Sequence, residues 1–279
     1  MEKEIRNVIL DVHPDVFQSA AVLAALKSES IRLLGITIAW GRLSAETAVQ
    51  QALMLCELAG KQTAVYPGCP GPIARKLYRR PDAPAEPTVP GDLPLPQPKT
   101  TAREHAVAFL VHTFRAAEEK LTLVAQGPLT NIAMALRIAP DISSGIREIL
   151  LVDRLDVAYA PENLRKDPEA AEIVLRSGIP LRIIPLPAAP EGVSELEIRQ
   201  FPEDLPGYAL ENAVGVLALG TESLLRSSRK LHIQVCLDHG TGAGAILTDF
   251  IHREKANTEW VTDIDTQRCK ALAAALNRR

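Results

Sequence analysis

Cysteine is scarce and scattered: Cys56, Cys69, Cys236 and Cys269 are the only four in 279 residues, and no two form a CxxC pair. That spacing excludes a disulfide framework and a zinc ribbon, so free thiols in packing roles are expected. Aromatic residues make up only 4% of the chain, no run of lysine or arginine is interleaved with them, and the formal net charge is −3. A phosphate backbone would meet no basic field here, and nucleic acid is not an expected partner. No apolar stretch approaches the roughly 20 residues needed to span a bilayer. The opening MEKEIRNVIL has neither a signal-peptide core nor a small-residue cleavage site. The expectation is a cytoplasmic protein with no membrane partner. No period of roughly 20 to 50 residues repeats, so a solenoid is not indicated.

What is present is apolar and alternating. With 47% hydrophobic residues, a chain of this length can bury one large core, and a single domain over residues 1–279 is expected. Short apolar runs are followed by helical stretches: Val8 to Leu10, then Ser19 to Leu26; Leu33 to Ala39, then Ser44 to Leu58; Leu121 to Ala125, then Asn131 to Leu136. The runs LTLVA and IREILLV are near-continuously apolar, as strands of a parallel sheet covered on both faces tend to be. A further strand is expected at Ile179 to Leu186, a long helical region from Leu205 to Leu225, and another strand at Leu231 to Leu237. The fold class read from this pattern is α/β, a mostly parallel sheet with helices on both faces. Residues 81–98, PDAPAEPTVPGDLPLPQP, are expected to be an extended proline-rich loop, either a stiff connector or a lid. A second loop, Pro185 to Ser194, is a candidate rim element.

Ligands of parallel α/β sheets sit beyond the carboxyl ends of the strands. The loop after the first strand reads VILDVHPDVFQSAAVLAAL, with Asp11, His13 and Asp15 alternating before a helix start. This segment resembles the DxDPGxDDxxA opening of the inosine-uridine-preferring nucleoside hydrolases. Later segments follow in the family's order: LLGITIAWG, QQALMLCELAG, TAVYPGCPGPI, LTLVAQGPLTNIAMALRIAPDI and ENLRKDPEAAEIVLRSGIPLRIIPL. The last two match its GPLTN and DPEAA segments closely. Read on their own chemistry, Thr130 and Asn131 suit a helix start after a Gly127-Pro128 turn, and Asp167, Pro168 and Glu169 suit an N-cap and first helical turn.

The resemblance implies cleavage of the N-glycosidic bond of ribonucleosides by a water held on calcium, which also grips the ribose hydroxyls. Residue by residue, the family's first aspartate is Asp11, while its second, a metal ligand and water-activating base, is His13 here. Its glycine is Asp15, and its closing pair of aspartates is Phe17 and Gln18. The carbonyl ligand before GPLTN falls on Gln126, and the late HDPLA motif lies opposite DHGTG, giving Asp238 and His239. Of the ribose-gripping AEFN residues only Asn163 matches, with Pro161 at the glutamate; the asparagine after the second strand is Arg42.

Three ligand carboxylates have become histidine, glutamine and histidine, so calcium is not expected, and neither is any other cofactor. Asp11, His13, Asp238 and His239 are the candidate catalytic residues. Asp15, Gln18, Arg42, Gln126 and Asn163 are candidates for binding a small nucleoside-like or ribose-like ligand. The expected reading is a diverged relative whose calcium-dependent activity is lost and whose cleft holds such a ligand. One alternative is an N-glycosidase in which His13 acts as base with Asp11, alone or with zinc or iron held by His13, His239 and Asp11. Another is a structural subunit of an assembly. The resemblance also implies a homo-oligomer.

Overall fold

The protein is described from a computed structural model, and the residues described are 5–14, 18–41, 43–75, 98, 102–155, 161–187, 210–238 and 242–277. Nearly all of the proline-rich loop, most of the Pro185–Ser194 loop and residues 205–209 of the expected helical region lie outside them.

The chain runs β1 (Arg6–Val12), α1 (Ser19–Lys27), β2 (Ile31–Ile38), α2 (Ala45–Leu58), β3 (Val65–Pro67), α3 (Ala106–Arg115), β4 (Leu121–Ala125), α4 (Thr130–Ile138), β5 (Ile146–Arg154), α5 (Glu162–Lys166), α6 (Pro168–Leu175), β6 (Leu181–Leu186), α7 (Val214–Gly220), β7 (Leu225–Val235), β8 (Ile246–Asp249), β9 (Thr258–Ile264) and α8 (Thr266–Asn277). The nine strands form one sheet in the order β3-β2-β1-β4-β5-β6-β9-β7-β8. From β3 to β9 every pairing is parallel, and β7 then runs antiparallel to both β9 and β8. A mostly parallel sheet is the expected class.

Both faces are covered. One core joins β1 and β2 to α1, α2, α7 and α8 through residues such as Leu23, Leu55, Val214 and Ala273. The other joins β4, β5 and β6 to α3, α4 and α6 through Leu110, Ile132 and Val174. All five residues of β4 are buried, the condition that makes LTLVA apolar at every position but Thr122. Ser44 caps α2 by accepting the Thr47 N–H, and Asp167 caps α6 by accepting from Ala170, with Pro168 in the first turn.

The last third departs from the expected elements. In its described part the helical region holds a 3-10 turn at Glu211–Ala213, α7 and a second 3-10 turn at Glu222–Leu224, and β7 already begins at Leu225, ahead of the strand expected from Leu231. All five residues from Arg226 to Lys230 are exposed, so the polar start of β7 meets water on both faces. His252 has φ +54 in the turn after β8, and His105 is the N-cap of α3. No helix among the described residues is long and apolar enough to cross a membrane.

Candidate functional site

β1, β4 and β5 lie side by side, so their carboxyl ends bring Asp11, Gln126 and Asp153 to one edge of the sheet. Asp11 is completely buried. Its Oδ1 accepts the Thr37 hydroxyl at 2.5 Å and the Asn131 amide at 2.9 Å, while Oδ2 has no partner among the described residues. Burial pushes this carboxyl up to about 6, and the bonds from Thr37 and Asn131 oppose the rise.

His13 is also buried, and its imidazole is fixed by two backbone groups of the loop after β2. Nδ1 lies 3.1 Å from the Ala39 carbonyl, and Nε2 accepts the Leu43 N–H at 3.0 Å. A carbonyl can only accept and an amide N–H can only donate, so the ring is neutral with its hydrogen on Nδ1. Gly41 makes room for it: a Cβ there would stand 2.4 Å from His13 Cδ2. Gly41→Ala is therefore expected to cost about 1 to 2 kcal/mol through overpacking, read from urea unfolding midpoints. An unchanged midpoint would mean that the ring swings freely and is available for chemistry.

The other candidates spread around this clasp. Gln18 bonds His13 itself, its Oε1 accepting the His13 backbone N–H at 2.8 Å. Gln126 turns its amide to the Asn212 carbonyl at 2.5 Å, and its buried Oε1 has no partner among the described residues. The Gln126 carbonyl accepts from Asn163 Nδ2 at 3.2 Å. Asp238 is exposed; Arg75 reaches its backbone carbonyl and that of Leu237, and its guanidinium pairs with Glu169. Asp15, Arg42 and His239 lie outside the described residues. The structure thus brings Asp11 and His13 to one loop, and Gln126 and Asn163 to each other. Asp11 reaches towards α4 and Gln126 towards the 211–213 turn, on opposite faces of the sheet.

Several residues here escape a reading of the motifs. Asp153, at the end of β5, is buried and accepts the Asn163 N–H on both oxygens, at 3.2 and 2.9 Å. Burial, then the charge of Glu162, pushes it up to about 8 against the pull of Lys166 and the backbone donors of Asn163 and Leu164. The usable signal was an acid directly after the apolar run ILLV of IREILLVDR, at the sheet edge where ligands bind. Thr130 and Asn131 do not cap α4 with their side chains. Thr130 donates to Asp167 Oδ2 at 2.6 Å and accepts the Trp40 indole N–H at 2.7 Å. Asn131 joins Asp11, the Ile38 carbonyl and the Cys69 N–H. The Cys69 thiol is pushed up to about 11 by burial and by the charges of Asp11 and Asp167, which leaves it protonated. Among the described residues, no group of three or more His, Cys, Asp or Glu side chains could hold a metal ion.

The family model described as inosine-uridine preferring nucleoside hydrolase matches residues 8–271. The pyrimidine-specific ribonucleoside hydrolases RihB of Shigella flexneri serotype 5b and Escherichia coli O9:H4 are each 36% identical over 189 residues, 65% of this chain and 59% of theirs. The chain thus aligns with less than two thirds of the length of these relatives. Among solved structures, an inosine-guanosine nucleoside hydrolase superposes with a TM-score of 0.82 at 20% identity over 99% of both chains. A purine-preferring ribonucleoside hydrolase from Gardnerella vaginalis gives 0.77 at 22% identity over 98% of this chain and 99% of that one. Family model, relatives and shared fold together establish that the chain belongs to the inosine-uridine preferring nucleoside hydrolase family.

Proposed function

We propose that this chain keeps the family's fold and a small-molecule cleft for a nucleoside or ribose-like ligand, and has given up calcium-assisted hydrolysis of the N-glycosidic bond. One observation carries the reading: both ring nitrogens of His13 are bonded to backbone groups of the adjoining loop. The imidazole occupies the position that the resemblance assigns to metal ligand and base, and neither nitrogen has a lone pair to spare. Calcium needs about six to eight oxygen ligands, several of them charged. Of the positions assigned to it, Gln18 Oε1 already accepts from His13, and the Gln126 carbonyl already accepts from Asn163. The donor set does not fit a divalent hard cation. Zinc or iron on His13 meets the same obstacle, since coordination would have to displace the Leu43 N–H.

Ligand binding is supported by what remains unbonded. Among the described residues Asp11 Oδ2 and Gln126 Oε1 are buried acceptors without partners, and Asn163, the one matched ribose-gripping residue, is held by Asp153. The relatives are named for pyrimidine ribonucleosides, so uridine and cytidine head the test panel. The purified full chain is incubated with ribonucleosides with and without calcium or zinc, and released reducing sugar and thermal shift are measured. Expected are no metal-stimulated sugar release and a ligand-dependent rise in melting temperature. Calcium-dependent turnover would overturn the reading.

A second reading rests on Asp11, whose raised carboxyl can exchange a proton near neutrality. It requires metal-independent turnover that Asp11→Asn abolishes.

A further inference from the structure

Trp40 is one of two tryptophans in 279 residues, and no position assigned by the family resemblance falls on it. It follows β2 at the carboxyl edge of the sheet and is half-buried. A tryptophan ring ordinarily contributes about 150 to 250 Å² of buried area to a core or an interface. Trp40 belongs to neither apolar core and is not among the partly buried side chains that pack on them. Trp260, on β9, does pack, against the core of β4, β5 and β6.

The ring is nevertheless held by its polar end. Its Nε1–H donates to the Thr130 hydroxyl at 2.7 Å, Thr130 donates to Asp167 Oδ2 at 2.6 Å, and Asp167 is fully buried. β1 lies between β2 and β4. An indole that starts after β2 and reaches the first residue of α4, the helix that follows β4, therefore spans the carboxyl end of β1. The residue after Thr130, Asn131, bonds Asp11, the one acid of β1. The anchored ring and the buried Asp11 carboxyl thus hang from consecutive residues of one helix, and the charges of Asp11 and Asp167 both reach the same thiol, that of Cys69. Asp11 Oδ2 has no partner among the described residues.

A fixed aromatic face outside the cores, beside an acceptor that lacks a donor, fits a flat heteroaromatic ring that bears an N–H. Every base has a π-face to lay on an aromatic side chain, and the N–H supplies the hydrogen that Oδ2 lacks. A sugar offers donors but no flat face. Because Thr130 already fixes the indole, stacking on it orders no further side chain, which lowers the entropic cost of binding. We infer that Trp40 is the stacking platform for the base of the bound ligand, and that the base rather than the sugar supplies most of the affinity. This rests on the ligand cleft proposed above and names the part of the ligand that the cleft recognises.

The full chain is titrated with uridine, uracil and ribose while tryptophan emission and melting temperature are followed. Uridine and uracil are expected to quench the emission and raise the melting temperature, and ribose to do neither at the same concentrations. The quench should survive Trp260→Phe and vanish in Trp40→Leu, with uridine affinity falling about tenfold or more. Trp40→Phe, which keeps a ring, should recover part of that loss. If Trp40→Leu does not fold, the quench in the parent and in Trp260→Phe decides. Stabilisation by uridine without quenching, or by ribose as strongly as by uridine, would overturn the inference and leave the ligand cleft standing. No response to any of the three probes in either measurement would overturn both.

Discussion

Replacing Asp153 with asparagine is expected to flatten the stability profile of the protein between pH 6.5 and 8.5. The folded chain holds this carboxyl up to about 8, against about 3.9 for an unfolded aspartate. An acid raised on folding favours the native state while protonated in both forms. Its contribution is complete below the unfolded value, declines as pH rises, and is gone above about 8. Through the chosen window the native state still binds a proton that the unfolded chain has released, so the wild type should lose about 1 to 2 kcal/mol. The amide that Asp153→Asn introduces cannot ionise, and its oxygen still accepts from the α5 backbone. Asp11, raised only to about 6, has spent most of its slope below the window. The thiols of Cys56 and Cys69, raised to about 11, and of Cys269, raised to about 12, act mainly above it. Urea unfolding followed by circular dichroism at several pH values measures both proteins. Equal slopes would show that Asp153 is not the group responsible.

Asp153 also marks where the sequence stops being legible. The parallel half of the sheet is readable because a strand buried on both faces carries few polar positions, and β4 coincides with LTLVA residue for residue. Asp167 as N-cap is readable because capping is local: the acceptor and the Ala170 N–H are three residues apart. The antiparallel end is harder, since β7 places Ser227 opposite Asp263 and Ser228 opposite Val261 through a pairing that no local pattern announces. The site was legible by position and not by bonding. Sequence spacing set Asp11 and His13 together as an acid orienting a base, whereas in the fold Asp11 bonds Thr37 and Asn131, and His13 bonds Ala39 and Leu43. All four partners are more than twenty residues away, and each was invisible until β2 lay beside β1.

The same long-range bonding makes Asp167 the side chain whose loss should cost most. Oδ2 accepts the Thr130 hydroxyl at 2.6 Å and the Ile73 N–H at 3.1 Å, and Oδ1 accepts the Ala170 N–H at 3.2 Å. It is fully buried, so no water replaces it. Asp167→Ala strands three donors at once, removes the cap of α6, and frees Thr130 from its bridge to Trp40. The expected loss is about 3 to 5 kcal/mol in urea unfolding. Asp167→Asn keeps one acceptor oxygen and should lose about half as much. Glu169, two residues along, gives the contrast: it pairs with Arg75 at a partly wet rim, and Glu169→Ala should cost about 1 kcal/mol or less. If Asp167→Ala cost no more than Glu169→Ala, the buried carboxylate would not be what ties α4, α6 and the loop after β3 into one edge, and the stiffness ascribed to the candidate site would need another source.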